Sequence, residues 1–172
     1  MSKTSFFAQK ANPYFIAEVS SNHGKDLKRS FDFIDRAAEA GCDAVKFQLF
    51  KIDQLFAPEI LSRSEKHRAR RNWELPLEFL PELSSYCRNR KIDFGCSPFY
   101  LDAVDELLPY VDFFKIASYE MMWLDLITRC VKAGKPLIIS AGMATMDEIV
   151  AIHDYAKQQG CDDLILLHCT SC

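Results

Sequence analysis

Short apolar runs alternate with longer amphipathic stretches along the whole chain. Six runs read as strands: Tyr14–Ser20, Asp43–Leu49, Ile92–Cys96, Asp112–Ala117, Pro136–Ser140 and Asp163–His168. Between them the spacing predicts helices, most clearly over Leu27–Ala40, where Leu27, Phe31, Ile34, Ala37 and Ala38 recur near the helical period. Met146–Gln158 follows the same rule, with Ile149, Val150, Ile152 and Ala156 on one side. Gly41, Gly134 and Gly160 each fall just after a periodic segment and before a strand, where a helix end favours a left-handed residue. The segments AEAGCDAV, VKAGKPLI and QQGCDDLIL write one helix-to-strand junction three times. This alternation with short connections predicts an α/β fold, a parallel sheet covered by helices.

An open nucleotide-binding sheet and a (β/α)8 TIM barrel both fit that pattern. The first strand runs into Ser20-Ser21-Asn22-His23-Gly24, with neither GxGxxG nor a Walker-type GK[ST]. Polar residues instead collect at the C-terminal end of nearly every strand, as a barrel with its site at one mouth requires. About six βα units are present where a barrel has eight. Residues 1–172 are therefore expected to form an incomplete barrel with unpaired sheet edges: a truncated chain, a dimer that completes the sheet, or an unstable product.

Composition narrows the class. The chain has 172 residues, 49% hydrophobic and 26% charged, which predicts a soluble globular protein and argues against disorder. A formal charge of -3 gives no footprint for nucleic acid or an anionic membrane. No apolar run approaches the roughly 18 residues of a membrane span, and the opening MSKTSFFAQKANPY lacks a signal-peptide pattern. Seven scattered cysteines read as reduced thiols, so a cytoplasmic location is expected. Cys169 and Cys172 form a CxxC, but no second ligand pair accompanies it for zinc, and no thioredoxin-like context surrounds it for redox chemistry.

The longest connection is Phe50–Leu77, with five basic residues between Arg63 and Arg71. It reads either as a flap that attracts anions over the barrel mouth or as a solvated helix and loop, with Glu59, Glu65 and Glu74 diluting its charge. In the second strand, period two places Val45, Phe47 and Leu49 on the helix side and Ala44, Lys46 and Gln48 towards the lumen. The fourth strand repeats the motif with Lys115, followed by Ser118 and Glu120. A buried ammonium needs a partner; either it pairs with Glu18, which sits mid-strand in FIAEVS, or two such lysines bind an anion. Ser97, Ser118 and Ser140 stand at successive strand ends. Each alone reads as a turn residue, and together they would line one pocket. His168 ends the last apolar strand, where a satisfied core group and a metal ligand are both open readings.

On these residues the chain resembles the sialic acid synthase family, the phosphoenolpyruvate-condensing enzymes that make N-acetylneuraminic, legionaminic or pseudaminic acid. The resemblance is carried by IAEVSSNHGKDL, AGCDAVKFQLF, DFGCSPF, FFKIASYE, KPLIISAGMAT and LILLHCTS, from about Tyr14 to Ser171. It implies a (β/α)8 barrel in which Lys46 and Lys115 hold the phosphate and carboxylate of phosphoenolpyruvate, with Ser118 and Ser140 adding contacts. Gln48, Glu18, Asn22 and His23 would lie around the sugar or a cation. His168 would be a ligand to a divalent metal, Mn2+ or Mg2+, and Glu120 would handle the proton of the attacking water. The implied substrates are phosphoenolpyruvate and an N-acetylated aminohexose, N-acetylmannosamine or a diacetamido-trideoxyhexose, in a homodimer.

The family's NHxGD turn reads Asn22-His23-Gly24-Lys25-Asp26 here, and Tyr119 stands where many members have Gly, as in the pseudaminic branch. The resemblance further implies a second metal histidine on a later strand and a C-terminal antifreeze-like domain, both beyond Cys172. Two other expectations stay open: a 3-deoxy-sugar-acid synthase, and a catalytically inactive remnant or phosphosugar-binding module.

Overall fold

Apolar side chains on both faces of the strands, and an apolar side on the longer helices, dictate how this chain packs. The computed structural model describes residues 6–7 and 12–170. Its strands are β1 (Ile16–Ser20), β2 (Ala44–Leu49), β3 (Asp93–Pro98), β4 (Phe113–Ile116), β5 (Leu137–Ser140) and β6 (Leu164–Leu167). They form one sheet in the order β1-β2-β3-β4-β5-β6, and every neighbouring pair is parallel. The helices are α1 (Leu27–Glu39), α2 (Ile52–Leu55), α3 (Pro58–Arg63), α4 (Glu65–Ala69), α5 (Leu80–Arg90), α6 (Ala103–Leu107), α7 (Leu124–Lys132) and α8 (Met146–Gln158). Strand after strand in sequential order, with a helical crossover between each pair, is the wall of a partial (β/α)8 barrel.

The helix boundaries have local causes. The Asp26 side chain accepts from the backbone N–H of Arg29 at the start of α1, and Thr145 with Glu148 forms a reciprocal capping box at the start of α8. Gly41, Gly134 and Gly160 all take positive φ, as their places after helices predict. Ile34 and Ala37 of α1 and Ile152 and Ala156 of α8 are buried. Val150 departs from the expected stripe: it is exposed, because it lies off the side of α8 that carries Ile152 and Ala156. Between α1 and α5, Phe31 stacks on Tyr86 at 4.1 Å between centroids, and Asp35 accepts from the Tyr86 hydroxyl and pairs with Arg90.

The two faces of the sheet carry different cores. Val45, Phe47 and Leu49 belong to the large cluster shared with the helices. Ala44, Phe113 and Ile138 belong to a separate inner cluster, against which Phe6, Phe7, Tyr14, Ile16 and Ile165 pack. The period-two reading of β2 thus holds. Phe113 fills the space over Gly95 so tightly that a Cβ there would lie 2.2 Å from its ring. This inner cluster floors the lumen. Lys46, Gln48, Lys115 and Ser140 lie further along the same strands, nearer the mouth.

Boundaries shift modestly from expectation. β3 extends through Pro98, so Ser97 lies inside the strand, and β6 stops at Leu167, one residue before His168. Residues 51–79 form α2, α3 and α4 with 3-10 turns at Arg70–Trp73 and Leu77–Phe79. Leu75 is buried in the large helix-side cluster, and Glu74 accepts from the Ile52 N–H at 2.6 Å, which joins the two ends of this connection. Among the described residues β1 and β6 each pair on one side only. No helix among the described residues is long and apolar enough to cross a membrane.

Candidate active site

The polar residues above the apolar floor converge at the C-terminal ends of the strands. Lys46 is 6% exposed; its ammonium forms an ion pair with Glu18 and lies 3.4 Å from the Ser97 hydroxyl. Parallel pairing puts Glu18 directly beside Lys46, which explains the contact. The ion pair with Glu18 is thus present.

Lys115 has no such carboxylate. It is half-buried in β4 and makes no hydrogen bond or ion pair among the described residues. Burial pushes its pKa down, the neighbouring Lys46 pushes it further, and Glu18 restores only part of that. An ammonium held this way favours an incoming anion.

Donors surround the same spot. Ser140 ends β5 and is buried, while Ser118 opens the 3-10 turn after β4 and accepts from the Gly142 N–H at 3.2 Å. A Cβ at Gly142 would lie 2.8 Å from the Ser118 hydroxyl and 3.2 Å from the Cys169 Cβ, so glycine is what lets this backbone approach. Cys169 marks where the groups converge: the Ser140 hydroxyl chiefly, with Ser118, Lys115 and the Ala141 backbone, holds its thiol below the usual range. Glu120 closes the turn. Burial raises its pKa, which Lys115 partly offsets, and its Oε2 is buried without a hydrogen-bond partner. Desolvation thus pulls the pKa values of Lys115 and Glu120 towards each other.

The other expected residues divide. Gln48, Ser20 and Ser21 line a cavity of about 260 Å³ at the rim under the connection 51–79. Ser20 has a positive φ of 56°, and the β1–β2 register shifts between Glu18 and Ser20, so the strand end bends there. Asn22 is exposed, its side-chain amide donating to the Val19 carbonyl at 3.0 Å.

His23 stands in the turn after β1. It is fully buried and lies beside Phe47, which belongs to the helix-side cluster, and its Nδ1 accepts from the Lys25 N–H at 3.0 Å. Desolvation lowers its pKa, with the Trp73 backbone offsetting part of this. Its Nε2 is buried without a hydrogen-bond partner.

Among the described residues no three His, Cys, Asp or Glu side chains come together as ligands, and His168 is an exposed single candidate after β6. Cys172, and with it the CxxC, lies outside the described residues.

Comparison with known proteins decides the family. The NeuB family profile matches residues 33–172. The chain belongs to the NeuB family. The chain is 35% identical over 176 residues to the N,N'-diacetyllegionaminic acid synthase of Legionella pneumophila, covering 92% of this chain and 49% of that one. It is 31% identical over 171 residues to the pseudaminic acid synthase of Helicobacter pylori, covering 92% and 50%. Among solved structures, the N-acetylneuraminic acid synthetase of Leptospira borgpetersenii superposes with a TM-score of 0.84 at 30% identity, over 94% of this chain and 55% of that one. The chain spans about half the length of the curated relatives it matches.

The geometry also brings forward residues that the sequence reading did not single out as site members. Gly142 and Cys169 were visible only inside the motifs ISAGMAT and HCTS, and their roles depend on a backbone approach between neighbouring strands. Arg70, which lines the rim cavity, was one of five basic residues in an undifferentiated run.

Proposed function

We propose that this NeuB-family chain carries the phosphoenolpyruvate side of a sialic-acid-type synthase, which condenses phosphoenolpyruvate with an N-acylated aminohexose and releases phosphate. The observation that carries the reading is Lys115: a desolvated ammonium without a carboxylate partner, beside Lys46, Ser118, Ser140 and the Gly142 N–H. In this reading Lys115 and Lys46 hold the phosphate and carboxylate, and the two serines fix the phosphate's orientation. Glu18 balances Lys46 and, with Gln48 and Asn22, faces the sugar. Relatives in the same family, named as legionaminic and pseudaminic acid synthases, support this substrate class.

The chemistry follows from those groups. C3 of phosphoenolpyruvate forms a bond to the aldehyde carbon of the open-chain sugar, whose oxygen takes a proton to become a hydroxyl. The positive character left at C2 is quenched by water, and Glu120 takes the proton that the water gives up. Collapse of the resulting centre breaks the C–O bond to phosphate and leaves a ketone, the proton of the new hydroxyl passing to the departing phosphate. Fixed cations and N–H donors stabilise the charge that accumulates on the departing phosphate. A divalent metal enters this proposal only if ligands beyond the described residues join His168, and no step is assigned to it.

The test is calorimetric titration of phosphoenolpyruvate into the chain and into Lys115→Ala. Loss of a charge-assisted contact is expected to weaken binding by roughly a hundredfold, with an unchanged circular dichroism spectrum. Equal affinity in the two proteins would remove Lys115 from the phosphate site and the proposal with it.

A further inference from the structure

Basic residues of the connection 51–79 are mostly accounted for. Arg71 pairs with Asp53, Arg68 donates to the carbonyls of Leu61 and Ser62, and Arg63 and Lys66 are exposed to solvent. Arg70 differs from all of these. Its guanidinium lies over the rings of Phe56 and Trp73, at 5.5 and 5.4 Å from their centroids. It makes no hydrogen bond or ion pair among the described residues, and its Nε is buried without a partner. The side chain is otherwise partly exposed, and a buried donor such as this Nε costs free energy until an acceptor arrives.

Arg70 also lines the rim cavity of about 260 Å³, and the lining of that cavity restricts what the acceptor can be. Ser20, Ser21 and Gln48 supply polar groups from the strand ends, while Leu55, Trp73 and Phe99 supply part of a mainly apolar wall. Among the described residues no carboxylate lines it. A phosphate dianion would set two charges against one guanidinium inside that apolar wall, a poorly compensated desolvation. A carbonyl is neutral, takes the N–H donors, and brings an alkyl group for the apolar side. The charge of Arg70 is already partly satisfied by the two aromatic faces.

We infer that this cavity is a subsite for an acylamido arm of the acceptor sugar, with the Arg70 guanidinium donating to the acyl carbonyl and the methyl group packing on Leu55, Trp73 and Phe99. The inference rests on the synthase reading and deepens it, because it assigns a specificity-determining residue on the connection rather than on a strand end. Arg70 is held by its two rings, so a side chain of similar length and apolar bulk preserves the packing while removing the donors.

The test titrates N-acetylmannosamine and mannose separately into the wild-type chain, Arg70→Met and Arg70→Lys, with phosphoenolpyruvate titrated into each as a control. The wild type is expected to prefer the acetylated sugar by roughly tenfold, as one charge-assisted hydrogen bond allows. Both variants are expected to lose that preference, keep their circular dichroism spectrum, and bind phosphoenolpyruvate as the wild type does. Lysine keeps the charge but not the planar fork, so its loss separates hydrogen bonding from simple electrostatics. Variants that retain the preference overturn the inference. So does a wild type that binds phosphoenolpyruvate but neither sugar, or that binds N-acetylmannosamine 6-phosphate more tightly through Arg70, which would make the cavity an anion subsite. Failure of the wild type to bind phosphoenolpyruvate overturns the synthase reading instead.

Discussion

The floor and the mouth of the barrel lumen are built from the same strands, yet they are satisfied in opposite ways. At the floor, Ala44, Phe113 and Ile138 interlock with residues from the N-terminal segment, and Gly95 makes room for the Phe113 ring. A few residues along, Lys46, Lys115, Ser140 and Glu120 are withdrawn from water with only part of their bonding complete. The floor is closed packing. The mouth is held under electrostatic tension that a ligand can relieve, and the stability to hold it there comes from the layers beneath.

The two lysines sharpen the contrast within the mouth itself. Lys46 is compensated by Glu18 across the β1–β2 pair, whereas Lys115 sits one strand beyond β3 with no equivalent carboxylate. One lysine is a structural member of an ion pair that also presents charge. The other is free to take most of its compensation from an anion.

This division can be broken at either end. The largest effect on stability is expected at the floor, where Gly95→Ala forces a methyl group into the Phe113 ring. Overpacking of this kind should cost about 1–3 kcal/mol in chemical denaturation, with phosphoenolpyruvate affinity little changed in the folded fraction. A smaller effect is expected at the mouth from Gly142→Ala. Its Cβ would displace the Ser118 hydroxyl and close the cradle, weakening phosphoenolpyruvate binding by roughly tenfold while shifting the denaturation midpoint little.

The smallest effects concern pH. Glu120 has a raised pKa in the folded chain, so between its unfolded value and that raised value the folded state binds more protons, and stability falls as pH rises through the window. Lys115 has a lowered pKa, so between that lowered value and its unfolded value the unfolded state binds more protons, and stability rises with pH. Glu120→Gln should flatten the acidic-to-neutral decline and Lys115→Met the alkaline rise, each read from denaturation midpoints across pH. A pH profile unchanged in both variants would show that neither group is desolvated as described.

Much of this was legible in the sequence because strand periodicity is simple. Alternation in Asp43–Leu49 was enough to place Lys46 and Gln48 on the lumen side, and the glycines after α1, α7 and α8 marked their ends. The resemblance in six short motifs supplied the family, which the match over residues 33–172 bears out. Other features depend on contacts that no local pattern records. The resemblance implied a place for His23 around the sugar or a cation, but no local pattern records that its turn folds the ring beside Phe47. The connection 51–79 hid its helices because segments of four to six residues complete too few turns to show a period. The distinct place of Arg70 among its basic neighbours emerges only when Phe56 and Trp73 are brought to either side of it.

The most direct test of the mouth as a phosphoenolpyruvate site is thermal unfolding of the chain across a series of phosphoenolpyruvate concentrations. Binding to the folded state alone predicts a cooperative melt whose midpoint climbs with concentration, by an amount set by the affinity. A cooperative melt that stays at one temperature throughout the series would contradict the account, because the folded lumen would then have no use for the anion that its uncompensated lysine is placed to receive.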